Sequence, residues 1–406
     1  MRRFCTQLIE TEPQLVLIAE EKSPARISLR GVSAKKIAPT WRISMSDKST
    51  KKIGILTSGG DCQALNAAMR GVAKCLYNSN EKFEIIGFTD GYQGLIHKKY
   101  RVLSEKDFSG ILNVGGTILG SSRTPFKTIG NKDDGIDKVK EMKKNYKELK
   151  LDCLVVLGGN GSHKTANLLR EQGLNIISLP KTIDNDLWGT DISFGFQSAV
   201  DIATDCIDCI HTTASSHGRV FIVEVMGHKV GWLTLMAGIA GGADIILIPE
   251  IPYNIESVIS AIKERERRGK KFTILAVAEG AISQENAGLS KKEYYKKIKK
   301  SKHPSISYEL ASEISERLGK EVRVTVPGHT QRGGKPNPYD RVLATRLGAK
   351  AGMSIIDGEY GFMMGYVNRE IVKVPLQDVA GKLKKVPKDD QIIQEVRALG
   401  ISLGDK

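Results

Sequence analysis

The stretch Lys51-Lys52-Ile53-Gly54-Ile55-Leu56-Thr57-Ser58-Gly59-Gly60-Asp61 decides the fold. Its first seven residues have the pattern of a buried strand. A glycine pair breaks the run, and Leu65–Leu76 then takes up helical spacing. Strand, glycine turn and helix N-terminus together offer backbone N–H groups to an anion. The stretch matches neither the GxxxxGK[ST] nor the GxGxxG phosphate-binding pattern, and it also suits a plain tight turn between strand and helix. The unit recurs, however. Leu151–Leu157 reads as a strand, Gly158-Gly159-Asn160-Gly161-Ser162 follows directly, and His163–Gln172 reads as a helix. Strands alternating with helices imply an α/β architecture of doubly wound, mainly parallel sheets. Glycine turns at successive strand ends mark a crevice at the carboxyl edge of such a sheet.

A third strand end carries the chemistry. Asn175–Leu179 is apolar and runs into Pro180-Lys181-Thr182-Ile183-Asp184-Asn185-Asp186. In extended geometry Thr182, Asp184 and Asp186 point to one side. Two carboxylates so placed repel unless a proton, a metal or another cation sits between them. That suits acid–base or metal-assisted work, although Asp and Asn also favour surface turns. Further strands are expected at Glu84–Phe88, Arg219–Met226, Ala243–Ile248, Lys271–Ala278 and Glu321–Val326. Thr89–Gly94 reads as a turn, and Asn113–Arg123 as a second glycine-rich loop ending on a guanidinium suited to phosphate. The later strands carry Arg219, Glu279 and the His329/Arg332 set, which read either as a second anion pocket or as an ordinary solvated rim.

Composition narrows the class. The 406 residues carry 61 Lys and Arg against 46 Asp and Glu, a net charge of +15, with 40% hydrophobic residues. The length implies more than one domain-sized unit. The basic residues are scattered and do not form one long tract, so anionic small molecules fit the charge better than nucleic acid. No apolar run approaches the ~18 residues of a membrane span. The six cysteines form no disulfide framework and no paired zinc pattern, which points to a reducing, cytoplasmic setting. Cys206 and Cys209 fall in a helical stretch and read as packing. Residues 1–50 lack any sustained period and are expected to be a disordered extension, a leader, or sequence outside the functional chain; Glu10, Glu12, Glu20 and Glu21 argue against a transit peptide.

Taken in order, LTSGGDCQALNAAMRG, GGTILGSSR, VVLGGNGS, LPKTIDND, GTDISFGFQSAV, SSHGRVFIVEVMG, IPE, AVAEG and GHTQRGG followed by PYDR resemble the 6-phosphofructokinases over roughly residues 51–365. PKTIDND together with GHTQRGG is the specific pair. The resemblance implies two doubly wound α/β lobes with the active site in the cleft between them. Residues 51–190 would form the donor lobe and 191–345 the sugar-phosphate lobe, with 346–406 packing back on both. It implies transfer of a phosphoryl group from ATP with Mg2+ to fructose 6-phosphate, in a homodimer or homotetramer. Asp184 would be the base, assisted by Asp186 and Thr182. Gly60, Arg123, Thr124, Gly159, Asn160, Gly161 and Ser162 would hold the donor. Thr182, Ile183, Asp184, Met226, Gly227, His228, Glu279, Arg323, His329, Thr330, Gln331 and Arg332 would hold the sugar phosphate. Arg219 would reach a neighbouring subunit's site.

Three departures from the family pattern stand out. Asn160 replaces the usual Asp or Glu that contacts Mg2+, so Asn160 and Asp186 are the metal candidates. His228 replaces the usual Arg, with Lys229 beside it as a compensating cation. Gly161 is the residue of ATP users, whereas Lys181 is the residue of pyrophosphate users. Gly161 leaves room for a nucleotide and weighs more than an added charge. A pyrophosphate-dependent enzyme and an inactive sugar-phosphate sensor remain the alternatives.

Overall fold

The computed structural model describes residues 49–132 and 135–406; the expected extension, apart from its last two residues, lies outside them. In chain order the strands are β1 (Lys51–Ser58), β2 (Phe83–Phe88), β3 (Tyr100–Leu103), β4 (Cys153–Gly158), β5 (Ile176–Pro180), β6 (Val220–Val225), β7 (Ile245–Leu247), β8 (Thr273–Ala278), β9 (Val322–Thr325), β10 (Phe362–Val367) and β11 (Glu370–Pro375). The helices used below are α1 (Leu65–Tyr77), α2 (Tyr92–Ile96), α3 (Lys138–Glu148), α4 (Asn160–Glu171), α5 (Phe196–His217), α6 (Trp232–Ala240), α7 (Ile255–Arg267), α8 (Gln284–Ala287), α9 (Lys291–Lys300), α10 (Ile306–Leu318) and α11 (Pro338–Ile356).

Two sheets organise these elements. One runs β11-β10-β5-β4-β1-β2-β3, parallel except for its two edge strands, which are antiparallel to their neighbours. The other runs β7-β8-β6-β9 and is parallel throughout. The central strands are buried along nearly their whole length, as parallel strands covered on both faces must be. Both sheets belong to one compact unit, Lys48–Lys406.

Register places the glycine turns. Ser58 pairs with Gly158, and Gly158 pairs with Pro180. Three strand ends therefore stop level, and Gly59, Gly159 and Lys181 emerge side by side. The strand order reverses between β4 and β1, which is where an open α/β sheet leaves a crevice. In the second sheet Val225 pairs with Ala278, so Met226 and Glu279 leave their strands together.

Two expectations shift. Thr89–Gly94 is only partly a turn, because α2 begins at Tyr92 and buries its ring. The helix expected from His163 begins at Asn160, so Asn160, Gly161 and Ser162 are its first turn. Tyr92 Oη donates to Ser162 O at 2.9 Å and fixes that turn.

The C-terminal α11 packs on α1 through glycines on the two helices. A Cβ at Gly348 would stand 2.3 Å from Ala68 O, one at Gly71 would stand 2.6 Å from Thr345 O, and one at Gly352 would stand 2.6 Å from Cys75 Cβ. The backbones touch, so a side chain there must push the helices apart. Gly348→Leu should cost about 3 kcal/mol or more by overpacking. Thermal melting checks this: Tm should fall by about 5 °C or more.

Candidate active site

The cleft is built from strand ends. About 880 Å³ of space is lined on one side by Ser58–Gly60, Arg123–Lys127, Gly159–Ser162 and Lys164. Lys181, Thr182, Asp184 and Asp186 form its floor, and Met226, His228, Lys229, Glu279, His329 and Arg332 face them. Gly381 and Leu383 also line it. Six lysines and arginines (Arg123, Lys127, Lys164, Lys181, Lys229, Arg332) stand against three carboxylates (Asp184, Asp186, Glu279), which suits multiply anionic ligands.

On the glycine side, close backbone approach decides the residue type. A Cβ on Gly60 would fall 2.1 Å from Arg332 Nη1, so glycine lets that guanidinium lie against the turn where it does. Arg332 Nη1 donates to Asp61 O at 3.2 Å, and the Lys181 ammonium donates to Gly60 O. A Cβ on Gly161 would meet nothing within 4 Å and would project into space the cleft occupies. The loop carrying Arg123 is tied down twice. Asn66 Nδ2 donates to Val114 O at 2.9 Å and its Oδ1 accepts from Ile118 N at 2.9 Å. Gly59 N donates to Ser122 O at 3.0 Å, and Ser121 Oγ donates to Gly59 O at 2.6 Å.

The Thr182–Asp186 loop is held from behind. Asp184 N donates to Thr182 Oγ1 at 3.0 Å. Asn185 takes a left-handed φ of 53° and accepts from Ser193 N at 3.1 Å. Asp184 Oδ1 is buried with no hydrogen-bond partner among the described residues. Burial, reinforced by the charge of Asp186, pushes the Asp184 carboxyl up to about 6, against the pull of Arg332. Asp186 is also raised, chiefly by burial. Burial lowers Lys181, with Arg332 adding to the fall and Cys62, Asp184 and Asp186 opposing it.

On the opposite side, Glu279 Oε1 accepts from His228 N at 2.7 Å and from Gly227 N at 3.3 Å. This clamp holds His228 at a left-handed φ of 52°. Gln331 is fully buried, its Oε1 accepting from Met226 N at 3.2 Å and its Nε2 donating to Gly328 O at 3.1 Å, so it supports the rim from beneath. Ile183 is in the core, and Gly227 and Thr330 do not line the cleft. Arg219 and Arg323 also lie elsewhere. Arg219 precedes β6 and Arg323 is the second residue of β9, at the amino ends of their strands, where both pair with Glu321. Arg219 therefore stands at the amino end of its strand, apart from Glu279 and the His329/Arg332 set, and neither it nor Arg323 lines this chain's own cleft.

Some residues escaped sequence reasoning. Lys127, Lys164, Gly381 and Leu383 line the cleft. Asp340, quoted only inside PYDR, is fully buried and accepts from Ser198 N at 2.8 Å and Ser198 Oγ at 2.7 Å, capping the start of α5. Lys384 donates to Asn185 Oδ1 at 2.9 Å, behind the carboxylate loop. Asp340 had a signal in the asparagine and proline before it, a helix start; the lone lysines had none.

The phosphofructokinase profile matches residues 52–355. The chain is 55% identical over 365 residues to the ATP-dependent 6-phosphofructokinase of Spirochaeta thermophila, covering 89% of this chain and 100% of that one. It is 48% identical over 354 residues to ATP-dependent 6-phosphofructokinase 3 of Bacteroides thetaiotaomicron, covering 87% and 100%. Among solved structures, phosphofructokinase from Saccharomyces cerevisiae superposes with a TM-score of 0.69 at 29% identity. That match covers 87% of this chain and 47% of the yeast chain, so this chain spans about half of it. The pyrophosphate-dependent phosphofructokinase of Marinobacter aquaeolei, at 22% identity and a TM-score of 0.70 over 87% of this chain and 92% of that one, shares the fold. With a profile spanning most of its length and relatives matched end to end, this chain belongs to the phosphofructokinase family.

Proposed function

We propose that the cleft transfers the γ-phosphoryl group of ATP to the 1-hydroxyl of D-fructose 6-phosphate, giving fructose 1,6-bisphosphate and ADP in the cytoplasm. The observation that carries this reading is a single cleft in which an aspartate poised near neutral pH faces a cationic, glycine-walled rim. Phosphoryl transfer asks the protein for in-line placement and positive charge over spreading negative charge. The glycine turns at Gly59–Gly60 and Gly159–Ser162, with Arg123 and Thr124, serve the donor. Asp184, whose carboxyl lines the cleft, takes the hydroxyl proton. An ordinary aspartate near 3.8 would be a weak base; raised to about 6, it is ionised at neutral pH and more basic.

Relatives matched at 43–55% identity bear ATP-dependent names, and these favour ATP over pyrophosphate. Open space at Gly161 agrees. His329, Arg332, Met226, His228 and Lys229 offer the sugar phosphate its contacts, Lys229 compensating for the arginine that His228 replaces. Residues 51–190 and 191–345 serve as donor and sugar-phosphate lobes. Residues 346–406 pack back through α11 and β10–β11. In a homodimer or homotetramer Arg219 and Arg323, paired with Glu321 away from this chain's cleft, would serve a neighbouring copy.

The residues fit Mg2+. Among the described residues no cluster of three or more His, Cys, Asp or Glu forms a closed cage. Mg2+ shared with phosphates needs only one or two carboxylates, and Asp186 with Asn160 Oδ1 would hold it. When bound it supplies positive charge over the donor phosphates.

Activity with fructose 6-phosphate, Mg2+ and each donor in turn tests the assignment. Turnover with pyrophosphate but not ATP, or with neither, would overturn it. Gly161→Asp should cut kcat/KM for ATP by about 100-fold while leaving the KM for fructose 6-phosphate within about 3-fold. Asp184→Asn should lower kcat by about 1,000-fold or more with little change in either KM. In the unsubstituted enzyme kcat/KM should fall tenfold per pH unit below about 6, where Asp184 becomes protonated. The sign for stability is opposite. Because the folded state raises this pKa, its ionisation weakens the fold as pH rises through about 6. Asp184→Asn should therefore raise Tm more at pH 8 than at pH 5, which differential scanning calorimetry reads directly.

A further inference from the structure

After β11 the chain returns to the cleft, where Gly381 and Leu383 line it and the short segment Gly381–Val386 bonds to residues of both sheets' sides. Asn160 Nδ2, in the first turn of α4, donates to Lys382 O at 2.5 Å. Leu383 forms a bridge with Leu187, just beyond Asp186. Lys384 N donates to Asp186 O at 2.9 Å. On the other sheet's side, Trp232 Nε1 donates to Lys384 O at 3.1 Å, and Val386 N donates to Glu250 Oε1 at 3.0 Å. The same Glu250 oxygen accepts from Gly231 N at 3.1 Å, next to the His228–Lys229 rim. A six-residue segment thus joins the donor turn, the carboxylate loop and the sugar side by main-chain bonds.

The side chain of Lys384 is the centre of this arrangement. Its ammonium donates to Asn185 Oδ1 at 2.9 Å, Thr190 O at 2.8 Å and Asp191 O at 2.7 Å, and lies 5.8 Å from the Trp232 ring centroid. All three of its donors are used, so it forms a rigid tripod. Asn185 is the residue between the two active-site aspartates, and its backbone is left-handed, a conformation Asn adopts more readily than most residues. Asn185 Oδ1 meets both Lys384 and Ser193 N. Fixing this amide fixes the directions in which Asp184 and Asp186 leave the chain.

Asn160 also changes meaning. Its amide nitrogen is committed to Lys382 O, a bond that an ionised carboxylate at this position could not make, because it has no proton to donate. The residue that departs from the family pattern is the one that latches the segment.

We propose that Gly381–Val386 is a strap forming the end wall of the phosphoryl-donor site, with Lys384 a positioning residue for the Asp184–Asp186 loop and Asn160 its latch. The proposal rests on the phosphotransferase reading above. Positional error of about 1 Å in a reacting group can cost about 100-fold in rate. Lys384→Met, and Lys384→Gln should the first not fold, should therefore lower kcat per folded molecule by about 30- to 100-fold, with both KM values within about 3-fold. Lys384→Arg, which keeps the charge and some donors, should recover part of the loss. A purely structural lysine would instead lower Tm and leave the kcat of the folded fraction unchanged, and that result would overturn the positioning role.

Asn160→Asp separates latch from metal ligand. As a better ligand it would lower the KM for ATP and the Mg2+ requirement. As a broken latch it should raise the KM for ATP by about tenfold, and in the full-length protein without ligands it should speed amide hydrogen exchange across residues 381–386, leaving β4 unchanged. Unchanged exchange in that segment would overturn the strap. An unsubstituted enzyme that transfers no phosphoryl group would sink the functional reading, whereas the exchange result stands or falls separately.

Discussion

Three parallel strands end at the same level, and the site depends on that alignment. Ser58, Gly158 and Pro180 are register partners across β1, β4 and β5. A slip of one residue in any of the three would turn its side chains to the opposite face and move its loop about 3.3 Å along the strand. The donor turns and the carboxylate loop would then no longer share one opening. What fixes the register is burial: Ile53, Ile55, Leu56, Val155, Val156, Ile177 and Leu179 are all sealed from solvent on covered faces. The chemistry is carried by loops, but their relative position is set by the apolar core.

Charge is the second constraint, and it runs against stability. Asp184 and Asp186 sit close enough for the charge of Asp186 to raise Asp184 further, and both are already raised by burial. Nearby cations offset this incompletely. Arg332 lowers Asp184, and Lys181 and Lys384 lower Asp186, but desolvation dominates in each case. Lys181 is itself depressed by burial, so even the compensating ammonium is held at a cost. A pocket built from such groups gains when a polyanion and a hydroxyl arrive to partner them. Perturbed, incompletely compensated groups gathered in one cleft are what a functional site collects.

Sequence revealed the parts of this that are local. An apolar run stopped by glycines is visible without neighbours, so the units at Ile53–Gly60 and Leu154–Gly159, and the Thr182–Asp186 loop, could be read before any fold was known. Element ends were less legible. The start of α4 at Asn160 runs against helix propensity, since Asn160 and Gly161 are poor helix formers, and the turn holds because Tyr92 pins Ser162 from another element. That Arg219 and Arg323 sit at the amino ends of their strands, away from this chain's cleft, was not legible because a strand read in isolation does not say which of its ends faces the cleft. The burial of Gln331 and the use of its amide on Met226 and Gly328 were not legible either, because a polar side chain in a motif does not disclose its partners. Lys384 was invisible because it acts through three acceptors drawn from residues nearly two hundred positions away.

Such long-range ties have an energetic logic. Loop closure grows only logarithmically with the length closed, so bringing a C-terminal segment back across the site costs little more than using a nearer one. The return also spans both sheets. α11 lays its glycines on the backbone of α1, β10 joins β5, and the segment after β11 bonds to Asp186 on one side and Trp232 on the other. A cleft between two sheets opens by small movements of either one unless some part of the chain is bonded to both. Here that part is the chain beyond PYDR, a region with little motif signal. Motifs mark where atoms react, whereas the residues that hold two motif-bearing sheets at a fixed separation need only reach and hydrogen-bond, and many sequences meet that demand.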